Sequence, residues 1–277
     1  MSIVFAILTL IAGAVALVAL LSYAIAWYEC ANADPGVVEN RFTPANLRLA
    51  AWLMLQEWAC LFITVLLYPL GWFKATETPP EYGSGTPVLL LHGLFHNRAC
   101  WFWTRYRLRR RGVRNVYTIN LPPWFALEFL TEQVSRKVDE LRHASGSDKV
   151  HLIGHSMGGM IARNFVQLGD GAGKVARCIL LAAPNHGSKL APFALSSLGK
   201  LLLPGSDFLR ELAEAPLPAG VQFTAVYSRH DNMVIPFESG QLQGADNVAL
   251  AGIGHAALLY NPRAFETLFD ALTEEQP

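Results

Sequence analysis

The sequence predicts an α/β fold, a mainly parallel sheet covered by helices, behind an apolar N-terminal region. Three observations predict it. Short apolar runs of strand length alternate with helical stretches from residue 87 onward. A glycine-flanked serine sits between one such run and a helix. The first 75 residues carry much of the chain's hydrophobicity, 52% of 277 residues being apolar and only 16% charged. That length suffices for one well-packed core. The 22 basic residues balance the 22 acidic ones, which gives no electrostatic footprint for a nucleic-acid partner.

Residues 1–28 are the expected transmembrane anchor. Ser2 to Tyr28 contain no charged side chain, and about 20 apolar helical residues cross a hydrocarbon core. Tyr23, Trp27 and Tyr28 close the run with the rings that favour an interface. A cleaved signal peptide is the competing reading, but no Lys or Arg precedes the run and the run exceeds a signal h-region. Residues 29–76 read as a connector plus a second hydrophobic, membrane-associated helix. Within Leu49 to Phe73, Gln56 and Glu57 interrupt the apolar character, and only the 16 residues Trp58 to Phe73 are free of charge. A carboxylate at membrane depth is costly unless paired. A second span, an in-plane helix and a helix packed on the following domain therefore compete, and Trp27, Trp52, Trp58 and Trp72 favour the interface.

Residues 77–86, rich in Pro, Gly and Glu, read as a linker. Residues 87–277 form the expected catalytic domain. Its strands are Pro87 to Leu91, Val116 to Asn120, Val150 to Ile153, Cys178 to Ala182, Gln222 to Tyr227 and Asn247 to Ala251. Continuous apolar runs are the mark of strands buried on both faces, as in parallel sheets. Residues 190–215 interrupt this alternation with two amphipathic pieces, Ala191–Leu203 and Asp207–Ala215, placed where a lid or acyl-binding cap belongs. Ordinary core-covering helices are the plainer reading.

Gly154-His155-Ser156-Met157-Gly158-Gly159 follows a strand and opens a helix, the context of a nucleophile elbow. Ser156 needs a base and an orienting acid, in the chain order Ser, acid, His. His255 lies after the last strand and is the only histidine beyond His230. Asp231 follows the strand ending at Tyr227, whereas its rival Asp246 precedes a strand, and Asp207 and Asp170 suit surface turns. Two backbone amides must meet a tetrahedral oxyanion. Met157 supplies one, and Leu94, in Leu91-His92-Gly93-Leu94, is the expected second. His92, Gly93, Gly154, His155 and Gly158 support these turns without a proton-transfer role.

These segments, with Ala183-Pro184-Asn185-His186-Gly187-Ser188, resemble the bacterial triacylglycerol lipases and esterases of the α/β-hydrolase superfamily. The resemblance covers roughly residues 86 to 272. It implies the α/β-hydrolase fold, a Ser156–Asp231–His255 triad and an oxyanion hole at Leu94 and Met157. With the N-terminal run it implies a membrane-anchored carboxylic-ester hydrolase, in a bacterial inner membrane, acting on lipophilic or phospholipid esters. A phospholipase, an acyltransferase or thioesterase with the same triad, and an inactive scaffold are the alternatives. Phe95, Trp101, Trp124 and Phe125 are candidate pocket walls. Neither a cofactor nor a metal is expected, since no calcium-type cluster of acids is apparent. Cys30, Cys60, Cys100 and Cys178 lack metal-type spacing and form no dense disulfide framework. Arg105 to Arg114 reads as a lipid-headgroup contact or, more plainly, as a solvated helix face. The sequence leaves a homodimer open.

Overall fold

A computed structural model describes residues 2–34, 36–39, 41–73, 80, 82–83 and 85–274. Six strands, β1 Val88–Leu91, β2 Val116–Ile119, β3 Val150–His155, β4 Val175–Leu181, β5 Gln222–Ser228 and β6 Asp246–Leu250, form one sheet in the order β2-β1-β3-β4-β5-β6. Every pairing is parallel. All six expected runs are strands. The central ones, β1 and β4 among them, bury Leu89, Leu90, Leu91, Cys178, Ile179 and Leu180 from both sides.

Helices α1 Ile3–Ala33, α2 Gly36–Glu39 and α3 Pro44–Leu67 precede the sheet, and α4 Phe102–Arg110, α5 Leu127–Ser145, α6 Met157–Gln167, α7 Ser197–Lys200, α8 Asp207–Glu214 and α9 Pro262–Thr273 cover it. The periodicity of α5 explains its placement: Leu127, Leu130, Val134, Val138 and Leu141 form one buried stripe. It packs beside α6 on one sheet face, where Phe165 and Met160 join the same core. The other face carries α4 and α9, with Leu108, Phe265 and Leu268 against Val88, Leu90 and Ile153.

The arginine run is tied to that second layer. Arg107 of α4 and Arg111, which follows the helix, both donate to Glu266 of α9 at 2.9 and 2.8 Å. Their guanidiniums also lie over Phe265 and Phe269, at 4.0 and 4.9 Å from the ring centres. Arg109, Arg110 and Arg114 face solvent.

Two N-terminal helices are long and apolar enough to cross a membrane: Ile3–Ala33 and Pro44–Gly71, with mean hydropathies of 2.9 and 1.7. Only Val15, Ala19, Ser22 and Ala26 of α1 are buried, while Ile3, Val4, Leu10, Leu17 and Leu20 stand exposed. The helix runs past the expected end at 28. From Ser22 onward it meets the sheet domain, Ser22 accepting from Asn232 at 2.7 Å and Glu29 pairing with Lys189. Helix α3 starts on Thr43, whose hydroxyl accepts the Asn46 amide, with Pro44 in the first turn. One side of this helix packs on the sheet domain. Gln56, Glu57 and Thr64 face the sheet domain, and Thr64 meets Tyr260 at 2.7 Å. The Tyr68 and Gly71 carbonyls accept from Asn97 and Asn120. Trp52, Leu55, Ile63 and Leu66 point outward. Of the expected linker at 77–86, residues 77–79, 81 and 84 lie outside the described residues.

Within residues 190–215 the first amphipathic piece is not one helix. A 3₁₀ turn at Ala191–Phe193 and the four-residue α7 share it, because Pro192 and the two serines Ser196 and Ser197 break the backbone pattern. The second piece is α8, capped by the Ser206 hydroxyl.

Candidate active site

Ser156 lies at the carboxyl end of β3, where ligands bind in open parallel sheets. Its φ of 55° and ψ of −125° are strained for a residue with a Cβ, and the turn is held by its amide donating to Leu181 O at 2.8 Å. The glycines are required by close approach. A Cβ on Gly158 would stand 2.3 Å from Leu91 O, and one on Gly154 2.5 Å from the Gly159 Cα. Gly93 packs against the serine itself, since a Cβ there would meet Ser156 Cβ and His155 Nδ1 at 3.0 Å. The strand-loop after β1 and the elbow are thus in van der Waals contact through bare backbone.

The amides of Leu94 and Met157 flank this contact. Met157 opens α6, so its N–H has no partner in the helix. Neither amide has an acceptor among the described residues. His92 bridges the β1 loop to the chain after β2: Nδ1 donates to Gly93 O at 2.8 Å and Nε2 accepts the Leu121 amide at 2.8 Å. It is a structural hydrogen-bonder.

The structure brings Asp231 and His255 together. His255 Nδ1 lies 2.9 Å from Asp231 Oδ2 and 3.1 Å from Oδ1. An ionised carboxylate only accepts, so Nδ1 carries the proton and Nε2 keeps its lone pair. Asp231 is oriented in turn, Oδ1 accepting the amides of Met233 and Val234 at 2.7 and 2.8 Å. Both side chains are buried. The pair sits beside the elbow: the His155 and His255 rings are 4.7 Å apart, and His155 Nε2 donates to His255 O at 3.2 Å. The rival acids lie elsewhere. Asp246 opens β6 at the opposite end of the sheet, Asp170 pairs with Lys174 at 2.6 Å, and Asp207 is solvent-exposed beside Arg210. His230 Nδ1 accepts the Gly252 amide at 3.0 Å and so braces the histidine loop.

Burial sets the charge of the imidazoles. It holds His92 down to about 4 and His96, stacked on His155, to about 3, and drives His155 well below its ordinary value. For His255 burial alone would also act downward, but the Asp231 charge and hydrogen bond and the Glu57 charge outweigh it and raise its proton affinity. Among these four rings only His255 has its proton affinity raised.

Several residues at the site have no signature in the sequence motifs. Asn232 Oδ1 accepts the His255 amide at 3.0 Å. Glu57 of α3, fully buried, accepts the amides of Ala256 and Ala257 at 2.9 and 3.1 Å. Gln56 donates to Gly252 O at 2.8 Å. The signal for Glu57 was its charge within an apolar run, which marks a polar partner in the fold. Arg163 of α6, also buried, donates to Asn185 and Leu212 O and so ties the Ala183–Ser188 segment to α8.

The pocket candidates divide. Phe95 and Trp124 are exposed and meet edge to face at 5.6 Å, and Phe125 packs on Phe129 at 4.8 Å. Trp101 does not line open space. The 3₁₀ turn Arg98–Trp101 directs it inward, where it is fully buried among the core residues and meets His155 edge-on. An open cleft of about 450 Å³ lies at the amino ends of β4 to β6, lined by Arg177, Gln222 and Asp246, away from Ser156. Among the described residues no group of three or more His, Cys, Asp or Glu is placed to hold a metal ion.

A parallel six-stranded sheet with a strained serine between its third strand and following helix defines the α/β hydrolase class. The family model for the alpha/beta hydrolase family matches residues 88–232, and the chain belongs to that family. It is 32% identical over 116 residues to triacylglycerol lipases of Pseudarthrobacter phenanthrenivorans and Burkholderia plantarii, alignments that cover 39% of this chain and 35% and 32% of those proteins. The chain thus spans about a third of the length of these curated relatives. Among solved structures it is similar to Bacillus licheniformis lipase in its propeptide form, with TM-score 0.62, 18% identity and coverage of 72% of this chain and 53% of that one. Aspergillus fumigatus lipase B gives TM-score 0.62 at 21% identity, over 72% of this chain and 56% of that one. At these identities the structural likeness concerns the fold.

Proposed function

We propose that the protein is a serine carboxylic-ester hydrolase, a lipase or esterase, working through an acyl-enzyme. The observation that carries this reading is the buried His255–Asp231 pair set beside the Ser156 turn. In the proposed reaction Ser156 Oγ attacks the ester carbonyl while His255 Nε2 takes the hydroxyl proton. The amides of Leu94 and Met157 stabilise the oxyanion. His255 then returns the proton to the leaving alcohol, and water, activated by the same imidazole, hydrolyses the acyl-enzyme. Asp231 keeps the proton on Nδ1 and stabilises the imidazolium.

The exposed apolar face of α1 supports membrane anchoring, because a helix of this hydropathy in water exposes surface that lipid would cover. Substrates reached from a bilayer, glycerolipid or phospholipid esters, follow from that anchoring. The triacylglycerol lipase relatives point the same way. The test is hydrolysis of p-nitrophenyl esters of graded length and of phospholipid vesicles by wild type and Ser156→Ala, with fluorophosphonate labelling alongside. Wild-type turnover and labelling that both vanish in Ser156→Ala are expected. Unlabelled wild type, or equal labelling of the variant, defeats the hydrolase reading; full activity on short soluble esters with none on dispersed lipid defeats the lipid part alone.

A further inference from the structure

We propose that Glu57 is a positioning residue for His255, so that the apolar N-terminal helices are part of the catalytic centre as well as an anchor. The proposal rests on the triad reading above. Both loops that carry the histidine and its acid are held from α1 and α3. Glu57 accepts the two amides that immediately follow His255, one on each carboxylate oxygen. On the other side of the histidine, a Cβ at Gly254 would lie 2.4 Å from Glu57 Oε2 and 2.6 Å from the Tyr23 hydroxyl oxygen. The carboxylate therefore spans the backbone on both sides of the base, and glycine precedes His255 because two side chains of the N-terminal helices occupy the space of its side chain. Gln56 fixes the start of the same loop at Gly252. The acid's loop is fixed through Asn232, which accepts the His255 amide and donates to Ser22 of α1.

Docking a helix needs no carboxylate. Placing an ion in a dry interior costs several kcal/mol unless hydrogen bonds and opposite charge offset it, and a leucine at this position would pack without that cost. Two amides offset part of it for Glu57. The base, which becomes cationic in the reaction, offsets a further part. The groups facing His255 are Asp231 from the loop after β5, His155 from β3, His96 from the loop after β1, Tyr23 from α1 and Glu57 from α3. The two histidines are kept neutral by burial. Asp231 and Glu57 are then the charges that the imidazolium meets, and both act to raise its proton affinity.

The experiment compares full-length wild type, Glu57→Gln and Glu57→Asp in detergent micelles, recording kcat, KM, the acid limb of kcat/KM and the melting temperature. Gln keeps length and loses charge. It should lower kcat about 10- to 100-fold, the scale of sub-ångström to 1 Å misplacement of a catalytic group, with KM within about twofold. Its acid limb should move to lower pH, since that limb reports the free enzyme's base. Asp keeps the charge and loses reach, so kcat should fall with the limb in place. A Glu57→Gln enzyme with wild-type kcat and limb overturns the proposal. So does a loss of activity that follows the melting temperature and leaves the limb unmoved, which would mark Glu57 as purely structural. If Glu57→Gln does not fold, Glu57→Asp decides, and wild-type kcat there overturns it. A wild type that neither turns over nor labels at Ser156 is a different failure, that of the triad reading.

Discussion

Replacing Asp231 by Asn tests the candidate triad at its most constrained point. Asp231 Oδ1 is held by two backbone amides, Met233 and Val234 at 2.7 and 2.8 Å, which require an acceptor. A carboxamide must therefore turn its oxygen toward them and its NH₂ toward His255 Nδ1, now 2.9 Å from Oδ2. Two donors cannot face each other. Nδ1 has to give up its proton and accept, which moves the proton to Nε2 and removes the lone pair that takes the Ser156 proton. The expected loss in kcat is about 10⁴-fold, the cost of the same change in serine-protease triads, or roughly 5 kcal/mol of barrier. The fold should survive, because the two amides keep their acceptor. The raised proton affinity of His255 depends on Asp231 before Glu57, so any residual activity should show an acid limb at lower pH than wild type. Stopped-flow hydrolysis of a p-nitrophenyl ester from pH 5 to 9, with circular dichroism for folding, measures both. A folded variant that loses less than about tenfold, with its limb unmoved, would refute the assignment of Asp231 as the acid.

Gly158→Ala should separate β1 from α6, since the new Cβ would lie 2.3 Å from Leu91 O and 2.6 Å from His92 O, both backbone atoms. Over-packing of this kind costs about 1–3 kcal/mol, read as a drop of about 2–4 °C in Tm per kcal/mol, and turnover should fall with the displaced oxyanion amides; an unchanged Tm would count against the contact. Acid should destabilise the protein through its buried histidines. His92, His96, His151 and His155 all take protons less readily folded than unfolded, the first three at about 4, 3 and 4. Their stabilising neutral state is fully present above about pH 6.5 and is lost as pH falls below it, each by up to about 1.4 kcal/mol per pH unit. His255, raised, acts oppositely, adding stability below about pH 6.5 that is lost as pH rises through its folded value. His186 and His230 are lowered too, so six imidazoles act against one; Tm should fall from pH 7 to pH 5, and a flat or rising Tm over that range would contradict the assignment.

The sheet domain was legible because its signals are local. A strand covered on both faces must be apolar throughout, so Leu89 to Leu91 and Cys178 to Leu181 announce themselves. A serine in a strained turn needs small neighbours, so Gly154 and Gly158 mark Ser156. Asp231 was separable from Asp246 by the direction of a parallel sheet alone: one follows its strand and the other begins one, which places them at opposite ends. Trp101 was misread as a pocket wall because nothing local reveals which way a short 3₁₀ turn points its last side chain. The broken helix at Ala191–Leu203 escaped for a similar reason, its amphipathic spacing surviving although its backbone does not.

What stayed hidden was the meeting of residues about 200 positions apart. Read alone, Gln56 and Glu57 are flaws in a candidate span, and the glycine before His255 is one more loop residue. In the fold these two oddities explain each other. The carboxylate needs donors and finds them at Ala256 and Ala257, and the glycine is required because that carboxylate and Tyr23 abut its Cα. If the N-terminal helices were only a tether, their polar residues would have no reason to converge on the loops of the base and the acid. Ser22 reaching Asn232, Gln56 reaching Gly252 and Glu57 reaching the residues after His255 make one set of contacts, centred on a single imidazole. Contacts built this way couple the position of His255 to the docking of the helices. Pulling α1 and α3 away from the domain would unseat His255 before it disturbed Ser156, whose turn is held by β1, β4 and α6.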